Sequence, residues 1–204
     1  YELMKYILVT GGAGFIGSHS CIRLLEEGYN LIVLDSFINS SSKTIDRIKK
    51  IVSKKKKGYE KNIIAYKGDL QDIKHVEKIF YEVEKLGSSI FYVIHFAGLK
   101  SVSDSNNEPL KYWASNVSGT INLLTIMKKF NCNNLIFSSS ASVYDSTQSI
   151  YSENSLVNPK NPYGNTKASI EKLLSDIYFS NKKKWRIACL RYFNPLGAHK
   201  SGLI

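Results

Sequence analysis

Cysteine is rare in this chain, and the three that occur, Cys21, Cys132 and Cys189, share neither a pairing pattern nor a metal-ligand spacing. A disulfide-stapled scaffold and a thiolate metal centre are therefore excluded, and the usage suits a reducing, cytoplasmic setting. Cys21 and Cys189 lie in apolar-periodic surroundings and are expected as small buried side chains. Proline is nearly as scarce, four in 204 residues, and charged residues make up 22%. Neither value fits a disordered chain. Long apolar runs are missing too. The first, at 6–9, stops at Thr10-Gly11-Gly12, and none approaches the roughly 18 residues of a membrane span. A soluble, unprocessed protein with no membrane partner is expected.

Acidic residues are also in short supply, 17 against 28 Lys and Arg, for a net charge of +11. Such an excess raises the question of nucleic-acid binding, and its distribution speaks against it. Much of the charge sits in 43–61 and in Lys182-Lys183-Lys184. Both runs fall at the ends of predicted helices, where solvent and the macrodipole favour cations. Neither has the interleaved aromatics of a single-strand platform, so no nucleic-acid partner is expected.

What is present is enough apolar material, 43% of 204 residues, for one substantial core and one domain. Six short runs rich in Ile, Val, Leu, Phe and Tyr read as strands, at 6–9, 31–35, 62–66, 90–95, 134–138 and 186–192. They are near-continuous rather than alternating, as in strands buried on both faces. Helical patterns fall between them at 14–27, 43–57, 72–86, 109–130 and 163–179, with Gly28 as a helix-ending residue. Regular alternation of strand and helix implies right-handed crossovers. The expected fold is α/β, a doubly wound parallel sheet of Rossmann type. The breaker-rich stretch 145–162 is expected as a loop beyond a strand's carboxyl end, where such sheets bind ligands.

The first strand runs into Gly11-Gly12-Ala13-Gly14-Phe15-Ile16-Gly17. Glycine is required where the chain turns tightly and where backbone must approach a diphosphate, whose charge the helix N-terminus then meets. Gly11, Gly14, Phe15, Ile16 and Gly17 are the candidate diphosphate-binding residues. Asp35 closes the second strand, placed to accept hydrogen bonds from ribose hydroxyls, and no arginine follows in 35–42. NAD is therefore expected rather than NADP.

Tyr163 and Lys167 form a Tyr-x3-Lys pair, a pattern that Tyr1/Lys5, Tyr81/Lys85 and Tyr178/Lys182 also match, so four of 13 tyrosines do. Only Tyr163 opens a helix, just after Pro162, following the fifth strand. The i, i+4 spacing puts the pair on one helix face, and Ser140 at the end of the fifth strand adds a hydroxyl. An adjacent ammonium should lower the tyrosine's pKa towards a useful base. Tyr163, Lys167 and Ser140 are thus the candidate catalytic residues.

Together these residues resemble the extended short-chain dehydrogenase/reductases, and among them the UDP-glucose 4-epimerases. The stretches that carry the resemblance are Gly17-Ser18-His19, His95-Phe96-Ala97-Gly98-Leu99-Lys100, 137–144 and 190–199. It implies that Asp69 and Leu70 hold adenine, and that Asp35, Ser36, Phe37, Ile38, Asn39 and Ser40 surround the adenosine ribose. It further implies that Phe96, Ala97, Gly98, Leu99 and Lys100 line the diphosphate and ribose. Asn116 and Phe193 belong to the cofactor pocket, as do Ser140, Tyr163 and Lys167. Substrate contacts are implied for Lys100, Ser140, Tyr163 and Asn194. The implied reaction interconverts UDP-galactose and UDP-glucose through NAD and a 4-keto sugar, without a metal. Asp145 departs from the family, which usually has glycine there. Residues 1–204 are expected to form the NAD-binding domain of a longer, homodimeric protein whose C-terminal substrate region is largely absent from this chain. Two rival readings are a non-catalytic NAD-binding module or inactive fragment, and a sugar-nucleotide dehydratase. The latter would need an acidic pair where Ala141-Ser142 stand.

Overall fold

The computed structural model describes residues 5–145 and 150–204. Six strands form one parallel sheet: β1 (Lys5–Thr10), β2 (Asn30–Asp35), β3 (Ile63–Lys67), β4 (Ser89–His95), β5 (Asn134–Ser140) and β6 (Arg186–Tyr192). Their order, β3-β2-β1-β4-β5-β6, is that of a doubly wound sheet. Chain direction across the sheet reverses between β1 and β4, and the crevice at that point is where such folds take ligands.

The central strands follow from period-two geometry. Leu8, Ile32 and Leu34 face one side and join a core built on α3 (Ile73–Lys85), α6 (Gly119–Lys129) and α7 (Pro162–Ser180). Ile7, Val9, Leu31 and Val33 face the other and meet α1 (Phe15–Glu26) and α2 (Lys43–Lys55). With apolar side chains on both faces, β1 and β2 read as continuous hydrophobic runs. The helices show the amphipathic spacing expected of them, with Ile45, Ile48, Ile51 and Val52 buried on α2 and Val76, Ile79, Phe80 and Val83 on α3. α1 ends in a Schellman motif: Gly28, at φ 88°, donates its N–H to Leu25 C=O, and Tyr29 donates to Leu24 C=O. The lysine runs are exposed at the end of α2 and beyond α7.

Burial on both faces does not extend to the sheet's edges. In β3 only Ile63 is buried, with Ile64 and Tyr66 half-buried and Ala65 and Lys67 exposed, and in β6 Ala188, Cys189 and Leu190 are exposed. An edge strand has a neighbour on one side only, and both faces of β6 are open near its middle: Ala188 and Leu190 on one, Cys189 on the other. Cys189 is therefore exposed rather than buried as expected, whereas Cys21 and Cys132 are buried; all three are free. The predicted helix 109–130 is also resolved differently. α5 (Pro109–Tyr112) passes into a π-helical turn, Trp113–Ser118, before α6. The flanking residues Tyr112 and Ser118 keep ordinary helical dihedrals, so this is one helix with a wide turn. A short helix, α4 (Val102–Asn107), escapes sequence detection because a single turn and a half carries no apolar periodicity. Ser101 caps it, accepting the Asp104 N–H at 3.2 Å. Among the described residues no helix is long and apolar enough to cross a membrane.

Candidate active site

A cleft of ≈ 540 Å³ opens at the carboxyl ends of the strands. Its floor is the turn between β1 and α1. Gly11, at φ 69°, has backbone just beyond the end of β4 against it: a Cβ there would lie 2.6 Å from Ala97 N. At Gly17 a Cβ would meet Gly11 C=O at 2.2 Å. No L side chain fits at either position, so glycine fixes the approach of α1 to β1. Phe15, Ile16 and Gly17 form the first turn of α1, whose N–H groups an α-helix leaves without carbonyl partners. All three line the cleft, and with no acidic side chain in that turn the positive end of the dipole is unopposed.

At one end of the cleft stands Asp35, buried, with its carboxylate tied into the loop. One oxygen accepts the Ala13 N–H at 2.9 Å, and the other accepts Phe37 N–H at 2.9 Å and Ser40 O–H at 2.8 Å. These bonds hold 36–40 around the rim, where Ser36, Ile38, Asn39 and Ser40 face the cleft with Asp69 and Leu70. Phe37 does not. It occupies the left-handed region at φ 58°, and its ring packs against the core below α1 and α2.

At the other end lie Ser140, Tyr163 and Lys167, on the end of β5 and the first turns of α7. Asn161 caps that helix, accepting the Gly164 N–H at 2.8 Å, with Pro162 at its first position. Tyr163 is buried, and burial pushes its phenol pKa up; a hydrogen bond with the Ser140 side chain opposes this, and Tyr112 adds to the rise. The sequence-based expectation was a lowered value. The difference lies in Lys167, whose ammonium donates to Ser138 C=O at 2.8 Å and sits over the Phe137 ring instead of meeting the phenol oxygen. Lys167 is 5% exposed, and its own pKa is brought down to about 8 by burial, against the opposing charge of Glu171.

The loop 96–100 forms one wall, with Phe96, Ala97, Gly98, Leu99 and Lys100 all at the cleft. Phe193 and Asn194, just past β6, close the Tyr163 end beside Ser140 and Ser142. Asn116 does not reach the cleft. It is buried in the π-helical turn behind the wall, where it accepts the Leu99 N–H at 2.8 Å and donates to Leu99 C=O at 3.0 Å and to Thr166 Oγ1 at 3.1 Å. The cleft also has residues that the sequence did not single out: Gly68, Val102, Ser115, Tyr192 and Pro195 among them. Tyr192 and Pro195 lie within the stretch 190–199 and could have been inferred from it. Val102 belongs to α4, which left no periodic signal, and Ser115 belongs to the π-helical turn, whose departure from the α-helical spacing of the predicted 109–130 helix the sequence does not show.

A second polar assembly ties this end together. Arg191 on β6 grips Glu171, two turns beyond Tyr163 on α7, through Nε at 3.0 Å and Nη2 at 2.7 Å. The same guanidinium donates to Tyr144 Oη and Glu153 C=O, both at 3.1 Å, and Ser139 donates to Glu171 at 2.5 Å. Tyr144 stacks on Tyr151, and Tyr151 packs near Phe193. Asp145, which stands where the resemblance predicts glycine, is a pin. Its buried carboxylate accepts Asn158 Nδ2 at 2.7 Å and pairs with Lys160 at 3.2 Å. Its backbone N–H meets Leu156 C=O, beside the isolated bridge between Tyr144 and Val157. Positions 146–149 of the expected loop, like Tyr1 among the Tyr-x3-Lys matches, lie outside the described residues.

Comparison with known proteins agrees with this architecture. A chain from Bifidobacterium longum, a UDP-glucose 4-epimerase in complex with NAD+ and UDP, superposes with a TM-score of 0.88 at 41% identity, covering 98% of this chain and 56% of that one. A UDP-glucose-4-epimerase from Stenotrophomonas maltophila, with bound NAD and formylated UDP-arabinopyranose, gives 0.87 at 38% identity, covering 98% and 56%. Among curated relatives, UDP-glucose 4-epimerase 2 of Arabidopsis thaliana is 44% identical over 99% of this chain and 55% of its own length. The chain thus spans about half the length of the curated relatives it matches. The profile of the NAD dependent epimerase/dehydratase family aligns with residues 7–203, nearly the whole of what is described, and it is to this family that the chain belongs.

Proposed function

We propose that this chain is the NAD-binding part of a UDP-glucose 4-epimerase. The observation that carries the reading is the joining, in one cleft, of a helix N-terminus, the Asp35 carboxylate and the Ser140–Tyr163–Lys167 group. The cleft fits a dinucleotide. Phe15, Ile16 and Gly17 offer N–H groups to the diphosphate where the glycines exclude side chains. Asp35 and Ser40 offer polar atoms to the adenosine ribose, and a carboxylate there disfavours a 2′-phosphate. Lys167 would meet the second ribose, and Phe96 to Lys100 and Phe193 would flank it. When bound there, NAD supplies a reversible two-electron acceptor for C4 of the sugar.

The chain's own residues would handle the proton. Tyr163 takes it from the sugar's 4-hydroxyl and returns it, with Ser140 donating a hydrogen bond to the oxygen whose charge changes. The raised pKa of Tyr163 means that the ligand-bound cleft must favour phenolate, and a nearby cationic ring and the Lys167 ammonium both act in that direction. Lys100 and Asn194 would touch the nucleotide sugar. The absence of a carboxylate at Ala141-Ser142 disfavours a dehydratase, which must eliminate water. A homodimeric whole protein and a cytoplasmic location complete the proposal, supported by the resemblance and by three free cysteines. The test is to supply NAD and UDP-galactose and follow UDP-glucose by chromatography. NAD-dependent formation is expected from the whole protein, and NAD binding by this chain without turnover even when the substrate region is restored would favour the non-catalytic module.

A further inference from the structure

Five polar side chains on five different segments lie almost fully out of solvent: Thr10 on β1, His95 on β4, Asn116 in the π-helical turn, Thr120 on α6 and Thr166 on α7. Burying such groups is costly unless each finds a partner, and here they find one another. Thr120 Oγ1 donates to Asn116 C=O at 2.5 Å, which commits its only proton, so the His95 Nε2 at 2.9 Å must be the donor to Thr120. On the other side Thr10 Oγ1 accepts the Ala97 N–H at 3.3 Å, and its own proton goes to His95 Nδ1 at 2.7 Å. The Asn116 side chain then clasps both backbone groups of Leu99 and donates to Thr166, which in turn donates to Tyr163 C=O at 2.7 Å. Every proton has a single place, and the path begins and ends at backbone of the cleft.

A core histidine that merely satisfies its neighbours would not need such ends. Here the loop 96–99 is held from one side through Thr10 and from the other through Asn116, and the same assembly reaches the first turn of the helix that carries Tyr163. We propose that His95, as the neutral Nε2–H tautomer, is a positioning residue that sets the 96–99 loop and Tyr163 in one frame. Burial in the first place, and then the Lys167 charge, favour the neutral ring, pushing its pKa down to about 3. The charge that bears on it is therefore the Lys167 ammonium, which opposes protonation. The inference rests on the NAD reading only where NAD binding is the readout.

Three measurements on this chain test it. In ¹⁵N–¹H spectra of the imidazole, Nδ1 should be unprotonated and Nε2 should carry the proton, unchanged between about pH 5 and pH 9. The opposite tautomer, or titration within that range, would overturn the proposal. Next, His95→Leu should weaken NAD binding about 30-fold, while His95→Gln, which keeps a donor and an acceptor, should stay within about fivefold. Equal losses in the two variants at matched urea midpoints would mean packing alone and would overturn it. Should His95→Leu fail to fold, Thr166→Val at the far end decides. It should speed hydrogen exchange at the Leu99 amide about tenfold while leaving β2 amides unchanged; an unaltered Leu99 amide would mean there is no path. If the unmodified chain does not bind NAD, the functional reading fails, and the tautomer and exchange results still decide the role of His95.

Discussion

On the β1–β2 side of the cleft the groups that face a ligand are mostly backbone; on the β5–β6 side they are side chains. The first side is built by Gly11 and Gly17, where any Cβ would collide with main chain, and by a single carboxylate, Asp35, that gathers the surrounding N–H groups. The second presents Ser140, Tyr163 and Lys167, backed by Arg191, Glu171, Ser139 and Tyr144, which are linked across β5, β6 and α7 through hydrogen bonds between 2.5 and 3.1 Å. Backbone sites tolerate no change of residue but need no partners. Side-chain sites can be re-tuned one member at a time, at the risk of stranding the rest. On the proposed reading, the half that would bind the dinucleotide is thus rigid by sterics, and the half that would do the chemistry is rigid by electrostatics.

Substitutions can break this contrast or sharpen it. The largest expected effect is at the chemical centre. Tyr163→Phe should lower turnover about 10³-fold while NAD binding changes less than about threefold, as measured by initial rates and titration calorimetry. Comparable losses in both would make Tyr163 part of the binding frame. Gly17→Ala comes next. The 2.2 Å approach to Gly11 C=O leaves only displacement of α1, so a loss of about 3 kcal/mol in urea unfolding and collapse of NAD binding are expected. A tolerated alanine would show that the loop yields where the geometry says it cannot.

Arg191→Met should cost about 2 kcal/mol, because it leaves the largely buried Glu171 carboxylate without its cation, and the double variant Arg191→Met/Glu171→Met should recover much of that. Additive losses would mean that the pair is not coupled. The smallest effect is a gain. Lys167→Met should raise stability by about 1 kcal/mol near neutral pH, since the buried ammonium is held at a penalty that its bond to Ser138 only partly offsets. The sign follows from linkage. Because the folded pKa of about 8 lies below the unfolded 10.5, the unfolded chain holds more protons between those values, and the wild type gains stability as pH rises through them. The advantage of the methionine variant should therefore shrink over that window; an advantage that grows with pH would put the lysine pKa elsewhere.

The backbone half was legible in the sequence because its determinants are local. A glycine run between a strand and a helix, and an acid at the end of the next strand, announce themselves within 35 residues. Strand positions were found to within a residue or two for the same reason: their apolar runs are short and bounded. The side-chain half was legible only at its motifs. Nothing in the spacing of Arg191 and Glu171, or of Asp145 and Lys160, says that they meet, because the sheet and α7 bring them together. The family resemblance implies that Phe37 and Asn116 belong to the cofactor pocket. Strain at Phe37 turns its ring into the core, and the wide helical turn sets Asn116 behind the wall. The exposure of β6 escaped notice since composition records how apolar a strand is, not how many neighbours it has.

The wide turn at Trp113–Ser118 has a consequence for how this chain can change length. One residue more than an α-helix would hold shifts everything before it by about 100° relative to everything after. Deleting Val117 or Ser118 would restore an ordinary helix and swing either Asn116 or Thr120 out of reach of its partners, with both of those residues still present. Frame-preserving deletions that exposed loops elsewhere would absorb should be silent in composition and ruinous in phase at this spot. In this protein part of the register lies not in the sheet but in a helix that carries one residue too many.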